Sequence, residues 1–414
     1  MNKLNIKYFI NIFNQSLVSG SNFISVIIIL RLSNLEILGI FNFIYIISLF
    51  FISLQNSLTI LPLNSLYPKI TYTDKNNFFA SANLLQLFFL TILIFVILIF
   101  FMFEYQNFWL IYLKDHKIIL ITFFLSTIIY NYFRRINLIK NKFLEIFIFD
   151  LLIHFCLFFL FFYFNQINEL NLKLILYSYI ISFGFIPLML IVLQNKTFKL
   201  KFSTKYLTKI LNFGRWMLLT AIYDFFSFNI WFFVSTILLG PTIGGILRST
   251  QTLGNAANII FMSFENIVPK MSAKIYLNSG LKSLNKYLIN FTIIGLLFGF
   301  IILLIVFFFS DLLFNFFYQN KLNQYENYTF FFIATSLSQF LTFPFIYKLR
   351  ALELPKLIQL SSLYTAIFSI FFSYLLIKKL NIEGFFIGYA ISIFINIASL
   401  YYYNYKIKNY GKFR

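Results

Sequence analysis

Five ionisable residues fall inside apolar stretches long enough to span a bilayer: Asp150, His154, Asp224, Arg248 and Glu265. An ionisable group at membrane depth is costly and generally faces a cavity or a partner, so chemistry is expected at these positions. Asp150 and His154 stand at i and i+4, one above the other on a helix face. That spacing suits a proton or ion-pair relay, and equally a local pair that neutralises itself. Gln251, Asn255, Asn258 and Glu265 recur at i, i+4, i+7 and i+14, with Arg248 and Thr252 beside the start of the stripe. A row of amides and charges cannot face lipid. Thr220, Asp224 and Ser227 form a second row, and Asn11, Gln15, Asn22 and Ser25 a third. Two readings follow, a hydrated cavity or polar glue between packed helices; glue accounts for Ser and Thr but poorly for Arg248, Asp224 and Glu265. Cys156 is the one cysteine, and His116 and His154 are the two histidines, far apart in the chain. Neither an intramolecular disulfide nor a metal site nor a cofactor is expected from them.

The elements that must hold these residues are membrane helices. Hydrophobic residues make up 60% of the 414 and charged residues 11%, a composition that cannot cover a water-soluble surface of this size. The 62 Phe accompany abundant Ile, Asn and Lys, the pattern of AT-rich coding, and are read as lipid-facing filler. No small-residue cleavage site follows Lys3 and Lys7, so the first apolar stretch is read as an uncleaved span. At about 20 residues per span, helices are expected near 10–31, 39–66, 79–103, 118–133, 143–164, 174–194, 213–239, 243–268, 287–309, 328–347, 357–377 and 384–405. Outer loops are too short to fold as catalytic domains, and no enzyme activity is expected.

The twelve divide into six and six. A shift of 206 residues lays Gly39-Ile40-Phe41 on Gly245-Ile246-Leu247, and a shift of 207, half the chain, lays Pro62 on Pro269. Gly and Pro are scarce here, 14 and 7, which gives the coincidence weight. The expectation is an all-α polytopic membrane protein of two six-helix lobes, residues 1–194 and 213–414, joined by a basic linker, 195–212. An even helix number per lobe makes the internal repeat parallel. Of the 33 Lys and Arg, 25, the cluster Arg134, Arg135, Lys140 and Lys142 among them, fall in the termini and even-numbered loops, 7 in the odd loops, and Arg248 inside a span. The asymmetry predicts cytoplasmic termini. It also makes the net charge of +20 an orientation signal spread over every inner loop, whereas nucleic-acid binding would gather it on one face.

A family likeness rests on particular residues. Residues 14–23 (NQSLVSGSNF), the Leu30-Arg31-Leu32 ending of the first helix and Leu38-Gly39-Ile40-Phe41 resemble the opening of polysaccharide repeat-unit flippases. These form the O-antigen and exopolysaccharide branch of the multidrug/oligosaccharidyl-lipid/polysaccharide (MOP) exporter superfamily. The second half repeats the likeness in Phe213-Gly214-Arg215-Trp216, Leu239-Gly240-Pro241, Gly244-Gly245-Ile246-Leu247-Arg248 and Glu265-Asn266-Ile267-Val268-Pro269-Lys270. The match covers about residues 13–75 and 206–290, with Ser33-Asn34 where a Gly-Pro-like turn is usual.

The resemblance implies an undecaprenyl-diphosphate-linked oligosaccharide as cargo, carried between leaflets of the bacterial plasma membrane by alternating access, with polysaccharide polymerase machinery as a further partner. On that view Asn22, Gln251, Asn255 and Asn258 line the path of the sugar, and Arg31 and Arg248 offer planar, permanently charged forks to the diphosphate. Asp224, Glu265 and the Asp150–His154 pair would exchange a coupling ion. Two other classes stay open. One is an ion-coupled exporter of drugs or metabolites with the same fold; the other is a membrane glycosyltransferase or polymerase, which would normally need a sizeable outer loop or a metal-binding carboxylate motif.

Overall fold

The computed structural model describes residues 3–67, 70, 74–100, 116–140, 142–193, 203–255, 261, 268–319, 321–352 and 354–410. Among them every regular element is helical. This follows from the solvent: a segment in hydrocarbon must satisfy its own N–H and C=O groups, and an apolar stretch does so as a helix.

In the first half run α1 (Lys3–Leu32), α2 (Leu35–Gln55), a π-helical turn (Asn56–Ile60), α3 (Leu61–Leu66), α4 (Lys75–Phe100), α5 (Lys117–Ile139) and α6 (Phe143–Ile167). They are followed by α7 (Leu172–Tyr179), a second π-helical turn (Ile180–Phe185) and α8 (Ile186–Leu193). The second half comprises α9 (Thr204–Leu239), α10 (Pro241–Gly254), α11 (Val268–Tyr318), α12 (Glu326–Phe340), α13 (Thr342–Ala351) and α14 (Pro355–Tyr410). α11 breaks at Gly280, whose φ of 74° only glycine adopts freely, and α14 breaks at Asn381, φ 52°. Ten stretches among the described residues are long and apolar enough to cross a membrane, and the 52-residue stretch Lys356–Ile407 holds two helices across the Asn381 break. The chain is thus an all-α polytopic membrane protein.

Several element ends keep the spacing of the expected repeat. α1 ends at Leu32 and α9 at Leu239; α2 begins at Leu35 and α10 at Pro241; α3 and α11 begin one residue before Pro62 and Pro269. Proline suits that position, since the first turn of a helix leaves its N–H unused and wants φ near −65°. The two halves make one turn by different means. Gly240 takes φ 94° before Pro241 in the second half, whereas in the first the Asn34 side-chain oxygen accepts from Ile37 N at 2.9 Å and caps α2.

The helices gather into two compact units. One comprises Met1–Asn14 and Ile44–Ile222, the other Gln15–Phe43 and Tyr223–Arg414, so α1, α2 and α9 each contribute to both. In the first unit Leu63, Phe78, Ala82, Leu85, Ile136, Tyr206 and Ile210 form a core that ties α3, α4, α5 and the start of α9 together. In the second, Val268, Leu284, Leu288, Phe291, Phe340 and Tyr347 do the same for α11, α12 and α13. Phe serves two purposes. Phe95, Phe155, Phe308 and Phe394 lie open on the surface, as filler for lipid should, but Phe43, Phe78, Phe123, Phe161, Phe314 and Phe385 are fully buried.

Candidate functional site

Each unit carries a polar cluster of its own. In the first, α5 and α6 meet around Asp150, which is fully buried. Its carboxylate accepts from Arg134 Nε and from the Tyr130 hydroxyl, each at 2.8 Å, and the Asn14 amide of α1 lies beside it. Tyr130 and Arg134 stand four residues apart on α5 and close on the acid from one face. Arg134 is where the structure corrects the sequence reading. α5 continues to Ile139, beyond the expected end near 133, so Arg134 is a buried helix residue with its charge spent on Asp150 and not one of the inner-loop cations.

His154, one turn beyond Asp150, is buried as well, but its ring packs edge-on against Phe183 at 5.6 Å and faces Tyr130 at 6.5 Å. Neither ring nitrogen has a hydrogen-bond partner. The carboxylate therefore turns to α5 and the imidazole to the π-helical turn Ile180–Phe185, which supplies Phe183 and packs so tightly that a Cβ on Gly184 would strike Ser126 Oγ. π turns of this kind recur at functional sites because they re-aim one side chain without ending the helix.

A second polar layer adjoins the first along α2 and α5. Gln55 Nε2 donates to the Ile128 carbonyl at 3.0 Å, Asn131 Nδ2 donates to Gln55 Oε1 at 2.7 Å and to Asn56 Oδ1 at 2.9 Å, and the Ser48 and Thr127 hydroxyls pair at 2.8 Å. Nothing in the spacing of Gln55 and Asn131 announced this; only the sequence remark that amides avoid lipid could have found them.

In the second unit the expected stripe on α10 is partly in view. Arg248 Nη1 donates to Gln251 Oε1 at 3.2 Å, and Asn255, which follows the last turn of α10, accepts from the Ser336 hydroxyl of α12 at 2.6 Å. Gly254 makes that reach feasible: a Cβ there would meet Phe332 Cβ, so the two helices cross at backbone distance. One turn further along α12, Gln339 donates to the Tyr389 hydroxyl at 3.1 Å. Ser336, Gln339 and Tyr389 were not anticipated. Asn258 and Glu265 lie outside the described residues.

Arg31 and Arg248, expected as a pair, both reach the end of α11. Arg31 Nε donates to the Phe317 carbonyl at 2.9 Å with its guanidinium 5.9 Å from the Phe316 ring centre. Arg248 lies in electrostatic reach of Tyr318, whose hydroxyl donates to the Ser249 carbonyl at 2.9 Å. Lys321, in the following turn, donates to the Leu30, Arg31 and Ser33 carbonyls at the C-terminus of α1, the end where a cation is favoured. Asn22 is half-buried on α1, and its neighbour Phe23 meets Phe317 edge-on at 5.4 Å. Asp224 is an exposed residue of α9 within the apolar stretch Thr204–Leu239, with the Ser362 hydroxyl and Arg350 as its polar neighbours.

A bundle of helices long and apolar enough to cross a membrane, threaded by polar side chains, is a polytopic membrane fold. No family model matches the chain, and no curated protein matches it. Solved structures do match. An inward-facing multidrug resistance MATE family transporter of the MOP superfamily aligns over 95% of this chain and 94% of its own, with TM-score 0.72 and 12% identity. An outward-facing transporter of that family aligns over 98% and 96%, with TM-score 0.67 and 11% identity. A MOP superfamily transporter from Pyrococcus furiosus, described as having a binding pocket of reverse polarity that suggests a different function, also aligns over 98% and 96%, with TM-score 0.67 and 11% identity. The chain has the fold of these MATE family transporters of the MOP superfamily.

Proposed function

We propose that the protein is an alternating-access exporter whose cargo is an undecaprenyl-diphosphate-linked oligosaccharide, moved from the inner to the outer leaflet of the bacterial plasma membrane for surface polysaccharide synthesis. Residues 1–194 and 213–414 are the duplicated halves, 195–212 the basic linker, and both termini are cytoplasmic. The fold supports the exporter. The observation that carries the cargo is the composition of the α10 track, in which Arg248 is followed by Gln251 and Asn255 and continued by Ser336 and Gln339. A sugar headgroup cannot cross hydrocarbon unpaired, since each unsatisfied hydroxyl costs about 2–7 kcal/mol. Amides offer it donors and acceptors together, and a guanidinium fork suits a diphosphate.

A second reading, export of a cationic drug or metabolite, is favoured by one observation, the acidic side chain of Asp224 within an apolar helix. Complementation separates the two. In a strain lacking the gene, Arg248→Ala should abolish surface polysaccharide at normal protein abundance, and Arg248→Lys should restore it only in part, because an ammonium keeps the charge and loses the fork. Full polysaccharide export by a well-expressed alanine variant removes Arg248 from the mechanism. Loss of drug resistance with Asp224→Asn, polysaccharide unaffected, would favour the second reading.

A further inference from the structure

We infer that the end of the first unit where α3, α4, α5 and α9 meet is a binding site for the phosphate headgroup of an anionic phospholipid. Lys75 and Lys140 supply its cations, and the rings of Tyr67 and Phe79 hold them in place. All of its residues lie within the stretch Ile44–Ile222 of one unit, and the site is independent of the cargo.

Lys75 opens α4, and its Nζ lies 4.7 Å from the centre of the Tyr67 ring. Lys140 caps the end of α5, and its Nζ lies 4.6 Å from the centre of the Phe79 ring. The two rings are neighbours, with centroids 5.2 Å apart, and both pack on the core formed by Leu63, Phe78 and Ile210. Two ammonium groups from different helices are thus held over one aromatic pair. A ring face attracts a cation through its quadrupole and leaves N–H groups over for an oxygen acceptor. α9 adds charge at the same end. Ser203 N donates to Ser81 Oγ of α4 at 3.1 Å, and the Tyr206 ring meets Phe78 edge-on at 5.7 Å. Lys205 and Lys209, on the exposed face of that first turn and the next, are thereby brought beside α4.

Depth selects the ligand. Lys75 is the first residue of the apolar stretch Lys75–Ile99, and Lys140 follows the last residue of Lys117–Ile139. Both ammonium groups stand where hydrocarbon gives way to headgroups, and the anions at that level are lipid phosphates. Tyr67 suits the same layer, with an apolar ring and a polar tip. Charge agrees. Apart from the buried Arg134–Asp150 pair, the acids described at this end are Asp74, beside the Tyr206 hydroxyl, and Glu145, which pairs with Lys142. Orientation in the membrane asks only that lysines collect on one side, in any arrangement. Lysines laid over a packed ring pair go beyond that requirement.

The test uses the full-length protein in detergent micelles with phosphatidylglycerol or phosphatidylcholine added, bound lipid being counted by native mass spectrometry. The native chain should retain phosphatidylglycerol in preference. Lys75→Met and Lys140→Met remove the charge and leave an unbranched stem on the ring. Each should lower affinity for phosphatidylglycerol about fivefold, the factor that about 1 kcal/mol per basic residue at a membrane surface corresponds to. Lys75→Arg and Lys140→Arg keep the charge and can still cover the ring, so they should bind as the native chain does. Lys378→Met is the control, because Lys378 lies over the Tyr374 ring at 5.4 Å in the second unit and should not matter. Equal retention of the two lipids, methionine variants with native preference, or displacement of the lipid by inorganic phosphate at equal concentration overturns the site. Should the methionine variants not accumulate, the comparison of the two lipids on the native chain decides alone. Lipid reaches every face of the protein in a micelle, so the result depends neither on orientation nor on cargo, which the Arg248 complementation judges separately.

Discussion

Breaking the Arg134–Asp150 pair should destabilise the first unit more than any other single polar change there. The two side chains are 6% and 0% exposed, and their contact is 2.8 Å. Asp150→Asn keeps the shape and still offers Tyr130 an acceptor, but it leaves the guanidinium charge uncompensated in a buried site, which costs about 3–5 kcal/mol. Arg134→Met with Asp150→Asn removes the charge as well, fills the volume of the stem and preserves the Tyr130 hydrogen bond. The double variant should therefore recover most of the loss, a coupling of up to about 3 kcal/mol for residues in contact. The assay is the temperature at which detergent-solubilised protein loses its monodisperse peak in fluorescence-detected size exclusion, with abundance measured in parallel. The expected order is native, then double variant, then Asp150→Asn. An Asp150→Asn protein that survives heat as the native chain does, or a double variant as fragile as the single, would refute the assignment of Asp150 to a structural ion pair. The aspartate would then be available for ion exchange, as its i, i+4 relation to His154 had suggested.

The remaining expectations concern His154 and the orientation of the chain. His154 is buried with both ring nitrogens unpartnered; if it exchanges the coupling proton, His154→Leu should leave abundance intact and flatten the pH dependence of transport, while an unaltered profile assigns the ring to packing against Phe183. Reporter fusions placed after Lys142 and after Tyr410 should both show cytoplasmic activity, as the distribution of Lys and Arg demands; a periplasmic-active fusion at either point would overturn the orientation.

Much of the architecture could be read from residue order. Long apolar runs become helices whatever their neighbours, because hydrocarbon offers no other partner for the backbone. The matching helix starts were legible in Gly39 and Gly245 and in Pro62 and Pro269, since glycine and proline mark backbone positions that other residues fill badly. The polar rows on α1, α9 and α10 were legible for the complementary reason, that amides and charges are excluded from lipid.

Partnership was not legible. Asp150 and His154 share a helix face in sequence, yet one turns to Arg134 on α5 and the other to Phe183 in a π turn. Arg134 itself looked like a loop cation, because composition says where apolar runs fade and not how far a helix continues past them. Asn255 was expected to line a sugar path and accepts from Ser336, a contact that depends on Gly254 letting α10 cross α12 closely. The two repeat glycines were aligned on paper without any sign that they touch. Helix formation is a local property of about 20 consecutive residues, so it is written in them. The rotation, depth and crossing of each helix depend on weak contacts with every neighbour at once, and they are settled only when the bundle packs.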